Sequence, residues 1–289
     1  LSIDPKEEEK NMQLTHRSGW TLVALTLWFV LGATAQAESA QQTLSSESAI
    51  EQIKKRGTLR VGMSTFVPWA MRNKKGELVG FEIDVATKVA EDMGVKVEFV
   101  PTAWAGIIPA LIAKKFDVII GGMSITPQRN LTVNFTVPYA HSGQQMVASK
   151  ELAGSFSDLA QFNSPKVSIA CRRGATPCQI AQSQFPKAEV RRFDDDAQGF
   201  QEVINGNAHA MISSAPKPLF WALKNPDKLF MPTRENLSRG DEAFALRKGD
   251  PDSLNFFSNW ILVHTSNGWL AERHDFWFKT QDWAGDVDL

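Results

Sequence analysis

The sequence predicts an α/β protein of two lobes, each a mostly parallel sheet flanked by helices, with two hinge crossings of the chain between them. Three observations carry the prediction. Strand-type segments alternate with segments of helical spacing, the signature of a parallel sheet covered on both faces. The alternation restarts after Gln144-Gln145-Met146-Val147-Ala148, the first expected crossing. Beyond an N-terminal segment of export type, about 250 residues remain, more than one typical domain and suited to two lobes.

In order, the chain opens on an acidic leader over residues 1–11. Met12, His16 and Arg17 follow, then an apolar run over 20–31 and the small-x-small triplet Ala35-Gln36-Ala37. That is a charged n-region, a short h-region and a cleavage site, so residues 1–37 are expected to be leader and signal peptide. The apolar run is too short and too poorly flanked to span a membrane. Residues 38–47 read as a polar linker. A short helix is expected over 48–55, with Ser48 as N-cap, Glu51 completing a capping box, and Ile50 and Ile53 on the apolar side.

The first lobe is expected over 48–144. Its strand over 58–63 leads to a hairpin-type turn at Asn73-Lys74-Lys75-Gly76, and Ile83, Ala86, Val89 and Ala90 give 82–93 helical spacing. A strand over 95–100, a helix over 106–114 and the apolar strand Phe116-Asp117-Val118-Ile119-Ile120 follow. The second lobe, over 145–240, repeats the scheme with strands at 167–170, 189–192 and 208–212 and helices at 177–183, 197–205 and 217–223. The return crossing is expected at 241–246, with two helices after it at 253–263 and 269–278.

Composition excludes some functions. A net charge of -1 argues against a nucleic-acid partner, which requires a basic face. Nine Trp and 18 Phe supply ample apolar surface for two cores. The two cysteines, Cys171 and Cys178, leave none after the signal to carry a lipid anchor, so the exported protein is expected to float free. In an oxidising compartment they are expected to close a disulfide across a loop. Without histidine partners the spacing is poor for zinc, and no metal or cofactor is expected. Asp194-Asp195-Asp196 and Asp250-Pro251-Asp252 precede helical runs and read as caps.

The chemistry concentrates where strand 116–120 ends, in Gly121-Gly122-Met123-Ser124-Ile125-Thr126-Pro127-Gln128-Arg129. Glycines admit close backbone approach, hydroxyls and N–H groups donate, and Arg129 offers a planar fork matched to two carboxylate oxygens. This is a cradle for a small organic acid or amino acid, with Gly122, Ser124 and Arg129 as its contacts. No Gly-x-Ser-x-Gly, His-Glu-x-x-His or phosphate-loop pattern offers a different chemistry.

The flanks add a resemblance. Gly80-Phe81-Glu82-Ile83-Asp84-Val85-Ala86, Ile107-Ile108-Pro109-Ala110-Leu111, the Arg129 loop and Val133-Asn134-Phe135-Thr136-Val137-Pro138-Tyr139 resemble, in order and spacing, the bacterial periplasmic solute-binding proteins of the polar amino acid type, family 3. The resemblance runs from about Ser48 to the C-terminus. It implies the type II, Venus-flytrap fold, with residues 241–289 returning to the first lobe. It further implies a monomer of the periplasm, without enzymatic activity, that delivers a small carboxylate or amino acid-like ligand to an inner-membrane ABC permease. A periplasmic sensor that hands its liganded shape to a membrane receptor is the alternative. Phe66, Trp69 and Trp104 stand where related binders place aromatic walls. From the second lobe, Cys171-Arg172-Arg173-Gly174-Ala175-Thr176-Pro177-Cys178 leads into a helix with Thr176 as expected cap, aiming N–H groups at the cleft. Arg172 or Arg173 either adds charge to the cleft or faces solvent, as most such arginines do; adjacent side chains diverge.

One departure bears on the ligand. Amino acid binders of this family carry an Asp that receives the α-ammonium, and that position aligns with Ser214, while His209 replaces an earlier Asp. A hydroxyl does not compensate a desolvated ammonium as a carboxylate does. The expected ligand is therefore a carboxylate without a simple primary α-ammonium. Lys217 opens the next helix and either faces solvent or reaches the cleft. The similar cyclohexadienyl dehydratases place a proton-donating Glu where Lys217 stands, so lyase activity is not expected.

Overall fold

Helix α1 (Ala49–Arg56) begins directly after Ser48, and Ile53 is fully buried. β1 (Thr58–Met63) leads to the ribbon β2 (Met71–Arg72) and β3 (Leu78–Val79), closed by the predicted turn at 73–76. α2 (Phe81–Asp92), β4 (Lys96–Pro101), α3 (Ile107–Ile112), β5 (Val118–Ile119), the one-turn α4 (Pro127–Asn130) and β6 (Asn134–Phe135) complete the first pass. β7 (Ala140–Ser149) enters a second sheet, followed by the one-turn α5 (Lys150–Ala153), β8 (Ser168–Arg172), α6 (Thr176–Gln184) and β9 (Glu189–Phe193). α7 (Asp196–Ile204), β10 (Ala210–Ser214), α8 (Lys217–Lys224), β11 (Leu229–Phe230) and β12 (Ser238–Glu242) come next. β13 (Ala245–Leu246) rejoins the first sheet before α9 (Pro251–Ser266) and α10 (Trp269–Lys279). These elements belong to a computed structural model that describes residues 48–287; the leader, signal peptide and linker expected over 1–47 lie outside the described residues.

From Ile53 onward the described chain forms one compact unit on two main sheets. The first has the order β4-β1-β5-β13-β6, parallel across β4, β1 and β5 and antiparallel at β13. The second has the order β11-β7-β10-β8-β9, parallel across β10, β8 and β9, with β12 also beside β7. Each sheet is thus parallel at its centre, and its strands end on the loops that carried the sequence motifs. In α2, Phe81, Val85, Ala86, Val89 and Ala90 recur at three- and four-residue spacing and are buried. The C-terminal helices dock on that helix, where Trp260 donates to Asp92 at 2.9 Å and Trp277 to Asp84 at 2.7 Å.

The chain passes between sheets twice, and the two passages are zipped together. Thr136 and Phe244 exchange backbone and side-chain bonds at 3.1 and 3.0 Å, and Tyr139 N–H donates to the Glu242 carbonyl at 2.9 Å. The crossing expected at 144–148 falls inside β7, because β12 pairs with it from Ala140 to Gln144 and extends the strand forward. The helix expected over 106–114 is shorter: Trp104–Gly106 forms a 3-10 turn, and Lys114 adopts a φ of 58°, which ends the helical path. Asp195 and Asp250 cap their helices as predicted, accepting from Gln198 N–H at 2.8 Å and Ser253 N–H at 3.0 Å. Asp196 does not cap; it turns inward.

Two stability predictions arise here. Cys171 and Cys178 are bonded across the β8–α6 loop, a separation of seven residues. Closing so short a loop stabilises by about 2 to 3 kcal/mol on the chain-entropy account, so the Cys171→Ser/Cys178→Ser double variant is expected to lower the urea midpoint accordingly. A Cβ at Gly62, near the end of β1, would lie 2.3 Å from the Phe116 ring. Gly62→Ala is expected to destabilise by about 1 to 3 kcal/mol through overpacking, and restoration by Phe116→Leu in a thermal melt would confirm the cause.

Candidate functional site

Three parallel strands of the first lobe end on one edge. β1 ends in a loop held by reciprocal Phe66 and Ala70 backbone bonds of 2.7 and 2.9 Å, which sets Phe66 and Trp69. Beyond β4, Thr102 N–H donates to Met63 O at 2.8 Å and brings up Trp104. Beyond β5, Gly122 adopts a φ of 61°, and a Cβ there would meet Phe66 at 2.8 Å. Only glycine fits both the left-handed backbone and the aromatic wedge. Thr126 then caps α4, accepting from Arg129 N–H at 3.1 Å, with Pro127 at the first helical position.

Arg129 lies between the lobes. It is 8% exposed, donates to Ser124 O at 2.8 Å in its own lobe and to Gly174 O at 3.1 Å in the other, and lies 5.8 Å from the Trp104 ring centre. Gly174 has a φ of 76° and its Cα hydrogen faces Ala105, so the second-lobe loop can press against the first. Burial, reinforced by Arg172 and opposed by Glu242, brings the Arg129 guanidinium down to about 10, and it stays charged at neutral pH.

The structure places the remaining predicted residues as follows. Phe66, Trp69 and Trp104 are all buried; Phe66 and Trp104 meet Arg172 of the second lobe, whereas Trp69 packs within the first lobe against Phe66, Phe81 and Phe278. The Gly122 N–H donates to Tyr139 Oη at 3.1 Å, and Tyr139 in turn donates to Glu82 Oε1 at 2.5 Å, so that amide is engaged within the protein. Ser124 Oγ donates to Glu242 Oε1 at 3.3 Å. Thr176 is the first residue of α6 rather than its cap; Ala175 takes the extended cap position, and no side chain caps the helix. Ser214 is half-buried at the end of β10 and donates to Gln144 Oε1 at 3.3 Å. His209 sits at the opposite end of that strand, accepting from Ser168 N–H at 3.2 Å, outside the cleft.

Three residues of this edge, Arg172, Lys217 and Asp196, owe their placement to the tertiary structure. Arg172 is buried between Phe66 and Trp104, at 5.0 and 4.8 Å from their ring centres, while its neighbour Arg173 points outward to Asp194, so the two side chains diverge as expected. Lys217 turns inward and pairs with Asp196 at 3.4 Å. Burial pushes the Asp196 carboxyl up, but Lys217, Arg172 and a Ser213 hydrogen bond outweigh it and hold it below the usual carboxylate range. Periodicity offered no signal for Arg172, since every residue of β8 is buried.

A cavity of about 780 Å³ opens beside this edge, lined by Val67, Lys217, Phe220, Trp221 and Trp283, and it does not include Arg129. The arginine edge is the better candidate because it concentrates buried, directional charge, which a small acid requires and bare volume does not supply. Among the described residues no cluster could hold a metal ion, and no helix is long and apolar enough to cross a membrane.

Residues 59–280 match the pattern of the bacterial extracellular solute-binding proteins, family 3. This chain belongs to that family. The fold is accordingly the two-lobed type II periplasmic binding fold. This family 3 chain is 28% identical to the L-cystine-binding protein TcyJ of Escherichia coli (strain K12) over 268 residues, 92% of this chain and 98% of that protein. It is 25% identical to the cyclohexadienyl dehydratase of Pseudomonas aeruginosa over 236 residues, 81% of this chain and 88% of that enzyme. Among solved structures, the ancestral amino acid-binding protein AncCDT-1, a precursor of cyclohexadienyl dehydratase, superposes with a TM-score of 0.73 at 39% identity, covering 80% of this chain and 99% of that one. A second structure of AncCDT-1 describes it as a cationic amino acid solute-binding protein. The family therefore includes both binders and an enzyme, and the residues of the cleft must separate them.

Proposed function

We propose that this family 3 chain is the periplasmic substrate-binding component of an ABC importer, capturing an amino acid-like small carboxylate by hinge closure. The observation that carries this is Arg129, a buried guanidinium bonded to a carbonyl in each lobe. A carboxylate bound by its fork replaces the Gly174 carbonyl and ties the lobes more strongly than the neutral acceptor does. Second-lobe contacts from Thr176 and Ser214 exist only when the lobes meet, so the ligand shifts the population to the closed form. Ser124 adds a hydroxyl, Gly122 gives close approach, Phe66 and Trp104 form the walls, and Trp69 backs Phe66. The protein works as an exported monomer, freed from its signal peptide, whose closed rims are read by an inner-membrane permease.

The ligand lacks a simple primary α-ammonium. Ser214 offers only a hydroxyl already bonded to Gln144, and the buried carboxylate of Asp196 is paired with Lys217. Native mass spectrometry of protein purified from its host should reveal the guest, and calorimetry with an acid panel should rank it. Tight binding of an ordinary L-amino acid would refute this ligand class.

The dehydratase chemistry of the relative is not carried over. Lys217 is a buried cation paired with Asp196, which leaves no carboxylic acid at that position to protonate a leaving hydroxyl. Incubation with prephenate or arogenate is expected to release no phenylpyruvate or phenylalanine above the uncatalysed rate. Release that disappears in a Lys217→Ala variant would overturn this.

A further inference from the structure

The carboxylate cradle leaves one buried cation unused. Arg172, at the end of β8, is 5% exposed, and its guanidinium carbon lies 5.0 Å from the Phe66 ring centre and 4.8 Å from that of Trp104. Arg129 approaches the same Trp104 ring at 5.8 Å. One indole is thus flanked by two guanidinium groups, one from each lobe. Aromatic faces attract a cation but do not cancel its charge, and like charges held together repel.

Glu242 favours the Arg129 charge, and Asp196 and Asp195 favour that of Arg172, but only through space; burial outweighs them and leaves both guanidinium groups below their usual value. Asp196, the buried carboxylate of the second-lobe edge, is committed to Lys217 at 3.4 Å, a pair that neutralises itself. Among the described residues, neither Arg129 nor Arg172 has a carboxylate within ion-pair distance. The Arg172 hydrogen bond to Ser64 Oγ is long, at 3.5 Å. Buried charge persists when it is paired, and here two fixed cations face one cleft with only neutral oxygens of Ser124, Gly174 and Ser64 as hydrogen-bond partners.

We infer that the guest of this cleft carries two acidic groups, one received by Arg129 and the other by Arg172, and that Arg172 sets a preference for diacids over monoacids and over cationic amino acids. The inference rests on the cleft being a carboxylate site. Because the two guanidinium groups belong to different lobes, a diacid bridges them and draws the halves together. A cationic guest must displace Arg172 from between Phe66 and Trp104 and face two like charges.

The test is isothermal titration calorimetry at pH 7 with matched probes: succinate against butyrate, iminodiacetate against sarcosine, and L-arginine and L-lysine as cations. The wild type is expected to bind the diacid of each pair about 10 to 100-fold tighter, the range of one charge-assisted bond. Arg172→Met, which keeps an apolar stem between the rings, should erase that preference, leave the monoacids within about twofold and improve the cations. Equal affinity for mono- and diacids in the wild type overturns the inference but leaves the carboxylate reading intact, as does equal weakening of both by Arg172→Met. Binding of neither kind of acid overturns both. The wild-type comparison decides even if the variant does not fold.

Discussion

Arg129→Ala is expected to weaken carboxylate binding by at least about a hundredfold while the protein remains folded. A charge-assisted hydrogen bond contributes about 1.5 to 3 kcal/mol, and a fork supplies two to one carboxylate. Against the roughly 8 kcal/mol of a micromolar complex, their loss removes much of the affinity. The fold should survive because Arg129 sits on the one-turn helix α4, held by the Thr126 cap and Pro127, and forms no ion pair among the described residues. The Gly174 carbonyl it releases is in an exposed residue and can take water. Arg129→Lys keeps the charge but loses the planar fork, so an intermediate loss of about tenfold is expected. Calorimetry beside far-UV circular dichroism checks both, and unchanged affinity in Arg129→Ala would remove this residue from the site.

Stability should rise as pH falls from 8.5 to 6.5, the reverse of ordinary acid denaturation. Two buried carboxyls near the crossings are responsible. Glu82 is 1% exposed; burial pushes it up to about 8, the Tyr139 hydrogen bond pulls it back in part, and Glu242 pushes further. Burial likewise brings Glu242 up to about 7, against hydrogen bonds from Ser142 and Ser124. Each has one carboxyl oxygen without a partner among the described residues, as suits a protonated acid more than a carboxylate. Between the unfolded value of 4.5 and these folded values, the native state holds more protons than the unfolded chain. The stabilisation is full below 4.5 and is lost as pH rises through about 7 and 8. His209 and His274, held below their usual value by burial, act in the opposite sense under pH 6.5, which leaves 6.5 to 8.5 as the clean window. Over it the gain should reach about 1 to 3 kcal/mol in urea unfolding. Glu82→Gln, uncharged and still able to accept from Tyr139, should flatten the slope and be the more stable protein at pH 8.5. A wild-type profile that is level or falls toward pH 6.5 would sink the argument.

The strand and helix order, the hairpin turn and the helix caps Asp195 and Asp250 were all legible in the sequence. Each depends on residues a few positions apart: apolar spacing within a strand or helix, a capping side chain three residues from its amide, a glycine at a turn. Boundaries that depend on a distant partner were less so. β7 starts at Ala140 because β12, about a hundred residues later, pairs with it.

Charges show the same division. Nothing in Arg172-Arg173 as a dipeptide tells which guanidinium enters the cleft, nor does Lys217 disclose that it meets Asp196, twenty-one positions earlier. Whether a charge is buried is settled by a balance between desolvation and the groups other elements bring to it, and those groups become neighbours only when the lobes form and approach. The chain's local order thus specified the two-lobed architecture and the capped turn that carries Arg129. Assembly in three dimensions set the burial of Arg172, the Lys217–Asp196 pair and the raised carboxyls of Glu82 and Glu242 at the crossings, because each needs partners drawn from distant parts of the chain.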